Sequence, residues 1–155
     1  TYTVDMATNW LTDDEQATWR AFVVAAHHVE AALDRQLLRD SGLAHTHYGI
    51  LVTLADAGGS ARMGEVAGAL QYSPSRLAHA VSALEKRGWV RRRECPDDRR
   101  GQLAEITEAG REVLIAAAPG HVAEVRRLVF DVVPPDEQHA LRSALTKILT
   151  AIQEQ

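Results

Sequence analysis

The chain of 155 residues contains one cysteine and two lysines, and it has no long apolar run. Cys95 has no second cysteine to pair with, which excludes an internal disulfide, and nothing else in the sequence calls for an oxidising compartment. A membrane-spanning helix needs about 18 or more consecutive apolar residues, and none occurs. The N-terminus lacks a basic segment leading into an apolar stretch, so no signal peptide is expected and the expected location is the cytoplasm. No phosphate-binding glycine loop, dinucleotide fingerprint or Ser/His/Asp arrangement is present, which leaves an enzymatic reading without support and implies no cofactor. Repeats, low-complexity tracts and Ser/Gly linkers are also missing. One continuous fold is therefore expected, and with 46% hydrophobic residues the chain can bury a real core.

Positive charge is unevenly placed. The chain carries 17 Lys and Arg against 21 Asp and Glu, a net charge of −4. Between Arg62 and Arg100 nine basic residues stand against five acidic ones, a balance of +4, so the remainder carries −8. A basic middle between acidic ends suits an element that meets phosphate, flanked by segments that do not.

Periodicity and punctuation predict four helices, a hairpin and two helices. Thr12-Asp13-Asp14-Glu15 has the form of a capping box, and Trp19, Phe22, Val23, Ala26, Val29, Leu33 and Leu37 then recur at helical spacing, which predicts a long helix to about Arg39. A second helix is expected over 46–57, stopped at Gly58-Gly59, and a short third over 63–70. Ser73-Pro74 starts a fourth that ends at Gly88, because Ser is a good cap and Pro loses nothing at the first helical position. Residues 89–94 read as a strand, 95–101 as a polar turn and 102–106 as the returning strand. Thr107 caps a further helix that Pro119-Gly120 is expected to kink or break, and Pro134-Pro135 precedes a last helix with Leu141, Leu145, Ile148, Leu149 and Ile152 on one stripe.

The fourth helix is two-faced. At about 100° per residue, His79, Ser82 and Lys86 fall near Ser75, while Leu77, Val81, Leu84 and Gly88 gather on the opposite side. A short helix, a tight turn and a second helix with a small polar face is how a helix-turn-helix brings side chains to base edges in the major groove. Ser73, Ser75, Arg76, His79 and Ser82 are the expected groove-facing or phosphate-facing set. The solvated face of any amphipathic helix would look the same, but the hairpin beside this one has five arginines within Arg91–Arg100. Arginine at a hairpin tip suits the negative potential of a narrow minor groove, which brings in Arg91, Arg93, Asp98, Arg99 and Arg100, with Asp98 placed to hold Arg100 by an ion pair.

Residues 46–110 resemble the winged helix-turn-helix of the multiple antibiotic resistance regulator (MarR) family. The likeness rests on Ser-Pro-Ser-Arg-Leu-Ala-His-Ala-Val-Ser-Ala-Leu-Glu-Lys-Arg-Gly-Trp-Val from Ser73, on Asp98-Arg99-Arg100, and on the run from Leu103 to Gly110. The resemblance implies a mainly α fold with a small β-hairpin wing, and a homodimer made by the first and last helices. It also implies binding to a palindromic operator in double-stranded DNA, usually repression, and release by a small, often aromatic, ligand. Arg100 matches the family's minor-groove arginine and Asp98 its partner. The expected organisation is an N-terminal dimerisation helix over 1–45, the DNA-binding domain over 46–107 and C-terminal dimerisation helices over 108–155.

Seven histidines, including His27-His28 and His45-x-His47, invite a metal site, but adjacent helical positions point about 100° apart, and neither a Cys-x-x-Cys nor a His-x-x-x-His pattern accompanies them. His28, His47 and Tyr48 fit better as lining for an organic ligand. Metal sensing, redox sensing through Cys95 beside basic residues, and a winged-helix module that binds an acidic protein remain alternatives on the same scaffold.

Overall fold

A computed structural model of the chain describes residues 8–95 and 98–154; at 98–100 only the backbone is described. The elements are α1 (Asp13–Ser41), α2 (His45–Asp56), β1 (Ser60–Arg62), α3 (Met63–Leu70), α4 (Pro74–Lys86), β2 (Val90–Cys95), β3 (Asp98–Ile106), α5 (Glu108–Val125) and α6 (Pro135–Gln153), with a π-helical turn at Arg126–Phe130. The fold is mainly helical with a small antiparallel sheet. None of the described helices is long and apolar enough to cross a membrane. Two compact units are distinguished, Thr1–Ala32 and Leu33–Gln155.

In the first unit the capping box forms as its residue types require. The Thr12 N–H donates to Glu15 Oε2 at 2.8 Å, and the Glu15 N–H donates to Thr12 Oγ1 at 3.2 Å. Trp19 and Phe22 lie one turn apart with rings 6.0 Å between centroids, and both stay exposed.

In the second unit Leu37, Leu43, Ile50, Leu51, Leu54, Val66, Leu77, Val81, Leu84 and Val90 are all but fully buried, so α2, α3, α4 and the wing strands share one core. The predicted hairpin proves to be two strands of a three-stranded sheet in the order β1-β3-β2. β1 was not foreseen. It follows the Gly58-Gly59 stop, where both glycines have positive φ, and pairs Ala61 with Ala104. With three residues it is too short to show alternation in sequence. β3 also starts earlier than expected, at Asp98, because the register shifts between Glu94 and Cys95 and extends the pairing into the tip.

The break expected at Pro119-Gly120 does not occur; α5 runs through both residues. A proline inside a helix costs a backbone hydrogen bond, and packing on both sides of it offsets that loss. Ala117 is buried on one side, and the His121 ring lies 4.3 Å from that of Tyr48 on the other. Gly120 meanwhile lets the Gln36 amide approach to 3.0 Å of where a Cβ would stand. The helix is interrupted later, at the π-helical turn and residues 131–134.

The root of the wing is closed by a tight seam. Gly88, at φ +73°, turns the chain out of α4, and Thr107 Oγ1 donates to its carbonyl at 2.6 Å while accepting from Gly110 N–H at 3.1 Å. The Thr107 N–H donates to the Trp89 carbonyl at 3.0 Å. A Cβ at position 110 would collide with that same carbonyl oxygen and lie 2.9 Å from Ile106 Cγ1. Helix propensity favours Ala over Gly by about 1 kcal/mol, but here the clash is with backbone, which cannot rotate away. Gly110→Ala is therefore expected to lower the unfolding free energy by about 1–3 kcal/mol in urea titration; an unchanged or raised midpoint would show that α5 does not need this close approach.

Candidate nucleic-acid interface

α3 and α4 are joined by a turn that Gln71 makes in the left-handed conformation, φ 54°, with its side-chain amide donating to the Gly68 carbonyl at 2.7 Å. Few side chains tolerate that conformation, and a local hydrogen bond helps to hold it. Ser73 then caps α4, its hydroxyl accepting from the Arg76 N–H at 3.2 Å, with Pro74 at the first helical position. Leu77, Ala80, Val81 and Leu84 are buried. Ser73, Ser75, Arg76 and His79 are exposed on the other side, so the structure brings these four expected residues together on one face. The Ser73 and Ser75 hydroxyls are 3.3 Å apart and share a hydrogen bond. The Arg76 guanidinium stacks 3.9 Å over the Tyr72 ring, which orients it beside the N-terminal turn of α4 and is worth about 0.5–1 kcal/mol at an exposed site.

Ser82, the fifth of the expected set, is placed differently. Its hydroxyl donates to the Ala78 carbonyl at 2.8 Å and accepts from the Arg92 guanidinium. Sequence periodicity puts it on the polar face, but its hydroxyl proton and one of its acceptor sites are engaged inside the protein.

On the wing, Arg91 stands directly opposite Glu105 in the β2–β3 register, and Arg93 is its diagonal neighbour on the same face. The Glu105 carboxylate accepts from Arg91 Nη2 at 2.6 Å through one oxygen and from Arg93 Nη1 at 3.1 Å through the other. The Arg91 hydrogen bond holds the Glu105 carboxyl below the usual carboxylate range, and the Arg93 charge adds to that. Such exposed pairs contribute little to stability; their main consequence is to cancel part of the wing's positive charge. Glu105 was missed from sequence because the pairing depends on strand register. The side chains of Asp98, Arg99 and Arg100, and the ion pair expected between Asp98 and Arg100, lie outside the described residues.

Of the expected ligand-lining residues, Tyr48 is buried and His47 half-buried, whereas His28 is exposed and belongs to the other compact unit. Tyr48 and His45 both stack near His121, with centroids 4.3 and 5.6 Å away. Burial lowers the His121 pKa and the nearby His45 charge lowers it further, so the neutral form of His121 is favoured. Burial also lowers that of His47, with Arg87 adding to the shift. Among the described residues no group of three or more His, Cys, Asp or Glu is arranged to hold a metal ion.

The model of the MarR family matches residues 41–101. A MarR family transcriptional regulator of Streptomyces coelicolor, Sco3205, solved in complex with DNA, is 46% identical over 96% of this chain and 94% of its own, with a TM-score of 0.92. CouR from Rhodococcus jostii RHA1, solved bound to p-coumaroyl-CoA, is 28% identical over 91% of this chain and 95% of its own, with a TM-score of 0.73. The transcriptional repressor MprA of Escherichia coli is 34% identical over 85 residues, 54% of this chain; the chain spans about half (48%) of the length of that curated relative. The matched proteins are transcriptional regulators, not enzymes.

Releasing Arg91 and Arg93 from their shared carboxylate would expose two charges to phosphate. Glu105→Gln is expected to tighten binding to unrelated duplex DNA and to steepen its salt dependence by up to about two phosphate contacts. Titrations at several salt concentrations check this; an unchanged slope would mean that neither arginine can reach the backbone.

Proposed function

The chain belongs to the MarR family of transcriptional regulators, and we propose that it works as a homodimeric repressor on a palindromic operator and is released by a small aromatic ligand. The observation that carries this reading is the exposed face of α4, where Ser73, Ser75, Arg76 and His79 stand above a buried stripe and next to an arginine-rich hairpin. A face of that size and polarity fits the major groove. Arg99 and Arg100 at the wing would enter the minor groove, with Asp98 orienting Arg100, as the family resemblance implies.

A dimer accounts for apolar surface that one copy leaves uncovered. No residue of α6 is buried, and Leu141, Ile148, Leu149 and Ile152 are each more than 40% exposed. An open groove of about 610 Å³ runs beside Phe130, Leu141, Leu145 and Leu149. Trp19 and Phe22 add an apolar patch on the first unit. Exposed stripes of this kind mark interfaces, and twofold symmetry would place two copies of α4 about 34 Å apart, one turn of duplex. The division of labour is then dimerisation by 1–45 and 108–155 and DNA binding by 46–107, in the cytoplasm. Replacing Ile148 with Asp is expected to shift the protein towards monomer in sedimentation at micromolar concentration; an unaltered dimer would take α6 out of the interface.

For the effector, the partly exposed rings of His45 and His121 lie against the buried Tyr48 ring and form an aromatic cluster at α2 and α5, with His47 on the same helix as Tyr48. CouR shows that a relative of this fold accommodates an aromatic acyl thioester. A differential affinity of about 1–3 kcal/mol between the two states would suffice for a 5- to 150-fold change in DNA binding. The decisive experiment is titration against the chain's own upstream intergenic DNA and unrelated DNA at near-physiological salt. Specific binding about a thousandfold tighter than the control is expected. Equal weak binding to both, lost steeply with salt, would leave only an electrostatic patch.

A further inference from the structure

Arg92 is the middle one of three consecutive arginines, and the pleat of β2 turns it away from Arg91 and Arg93. Opposite it on β3 lies Ala104, small and fully buried, so this face of the sheet leaves room for a guanidinium. That group reaches α4. Its Nη2 donates to the Ala78 carbonyl at 3.0 Å and to the Ser82 hydroxyl, and its Nε lies 3.2 Å from Glu85 Oε2. The other oxygen of Glu85 accepts from the Arg92 backbone N–H at 3.0 Å. Positions 78, 82 and 85 form one stripe along two turns of α4. The Arg92 side chain is 27% exposed, against 57% for Arg91 and 60% for Arg93. To turn its Nη2 towards a phosphate it would have to give up the Ala78 carbonyl and the Ser82 hydroxyl.

We propose that Arg92 is a positioning residue that fixes the distance and angle between α4 and the wing, so that both reach their grooves together, with Ser82 and Glu85 as its anchors on α4. The proposal rests on the DNA-binding reading above. The covalent link between α4 and β2 is only the turn at residues 87–89, which sets where the hairpin starts but not how it leans. The guanidinium donates through Nη2 to two acceptors on α4 and faces the Glu85 carboxylate, which constrains that lean, and partial burial strengthens each hydrogen bond. Lysine retains the charge but has no fork.

The test compares the whole wild-type chain with Arg92→Lys, Glu85→Gln and the double variant. Each is titrated against the upstream DNA and unrelated DNA at several salt concentrations, and amide exchange of residues 91–94 is followed in the free proteins. Arg92→Lys is expected to lower the operator-to-unrelated affinity ratio by about tenfold, in the range of coupled neighbouring contacts. Its salt slope should stay unchanged and its wing exchange should rise. Glu85→Gln should behave alike although it removes a negative charge, and the double variant should add little. Wild-type selectivity and wild-type exchange in Arg92→Lys would overturn the proposal. So would an Arg92→Gln variant that weakens binding equally on both DNAs and reduces the salt slope by about one, since that is the signature of a phosphate contact. Absence of selectivity in the wild-type chain would instead sink the DNA-binding reading, and the exchange of residues 91–94 would still decide whether Arg92 braces the wing.

Discussion

The wing depends on how closely α5 can approach the end of α4. Gly110 has no side chain to hold the helix off the Trp89 carbonyl, and Thr107 uses both its hydroxyl and its backbone N–H to tie the start of α5 to residues 88 and 89. The chain enters the hairpin at Val90 and leaves it at Ile106, two residues that pair with each other and are both buried. One seam therefore clamps both ends of the hairpin at once. Arg87 extends the clamp, donating to the Gly42 carbonyl at 2.7 Å and stacking 3.8 Å over Trp89, so the loop between α1 and α2 is tied to the same corner. With the stem held this way, the wing can carry polar and charged residues along its length without needing a core of its own.

Charge on β2 is handled pair by pair. Five arginines within ten positions would repel one another and bind any polyanion if all were free. Instead the alternation of β2 sends Arg91 and Arg93 to one carboxylate, Glu105, and Arg92 to another, Glu85. The two faces of the strand thus do different things: one moderates the electrostatic attraction that every DNA sequence exerts, and the other braces the hairpin against α4. Sequence-independent affinity comes mainly from phosphate neutralisation, so a regulator that must leave unrelated DNA gains from keeping only part of its positive charge available. A net charge of −4 for the whole chain works in the same direction.

Much of this fold is legible in the sequence because its signals are local. The capping residues Thr12, Ser73 and Thr107, the glycine stops and the 3.6-residue stripes of α1, α2 and α4 each act within a few positions, and each places its element to within a residue or two. β1 was hidden because three residues cannot display a period and its existence depends on Ala104, more than forty positions away. At Pro119 the expected break fails to form for the opposite reason. Its local effect on a helix is real, but the outcome was decided by His121 and Ala117 packing against residues distant in sequence, and such tertiary contacts routinely outweigh propensity.

The interface follows the same division. Ser75 and His79 share a face of the α4 wheel, a reading that needs only helical geometry, and the structure leaves both exposed. A wheel cannot say whether a polar side chain meets solvent or another part of the protein, and at Ser82 it meets Arg92. The clue was present in the strand, since a period of two already separates Arg92 from its neighbours. It could not be read further without knowing that β2 folds back along α4 with its Arg92 side against Ala78, Ser82 and Glu85. A run of like charges in a strand is therefore better divided by face before it is counted, because the residues on each face have different partners and the sum of their charges describes neither.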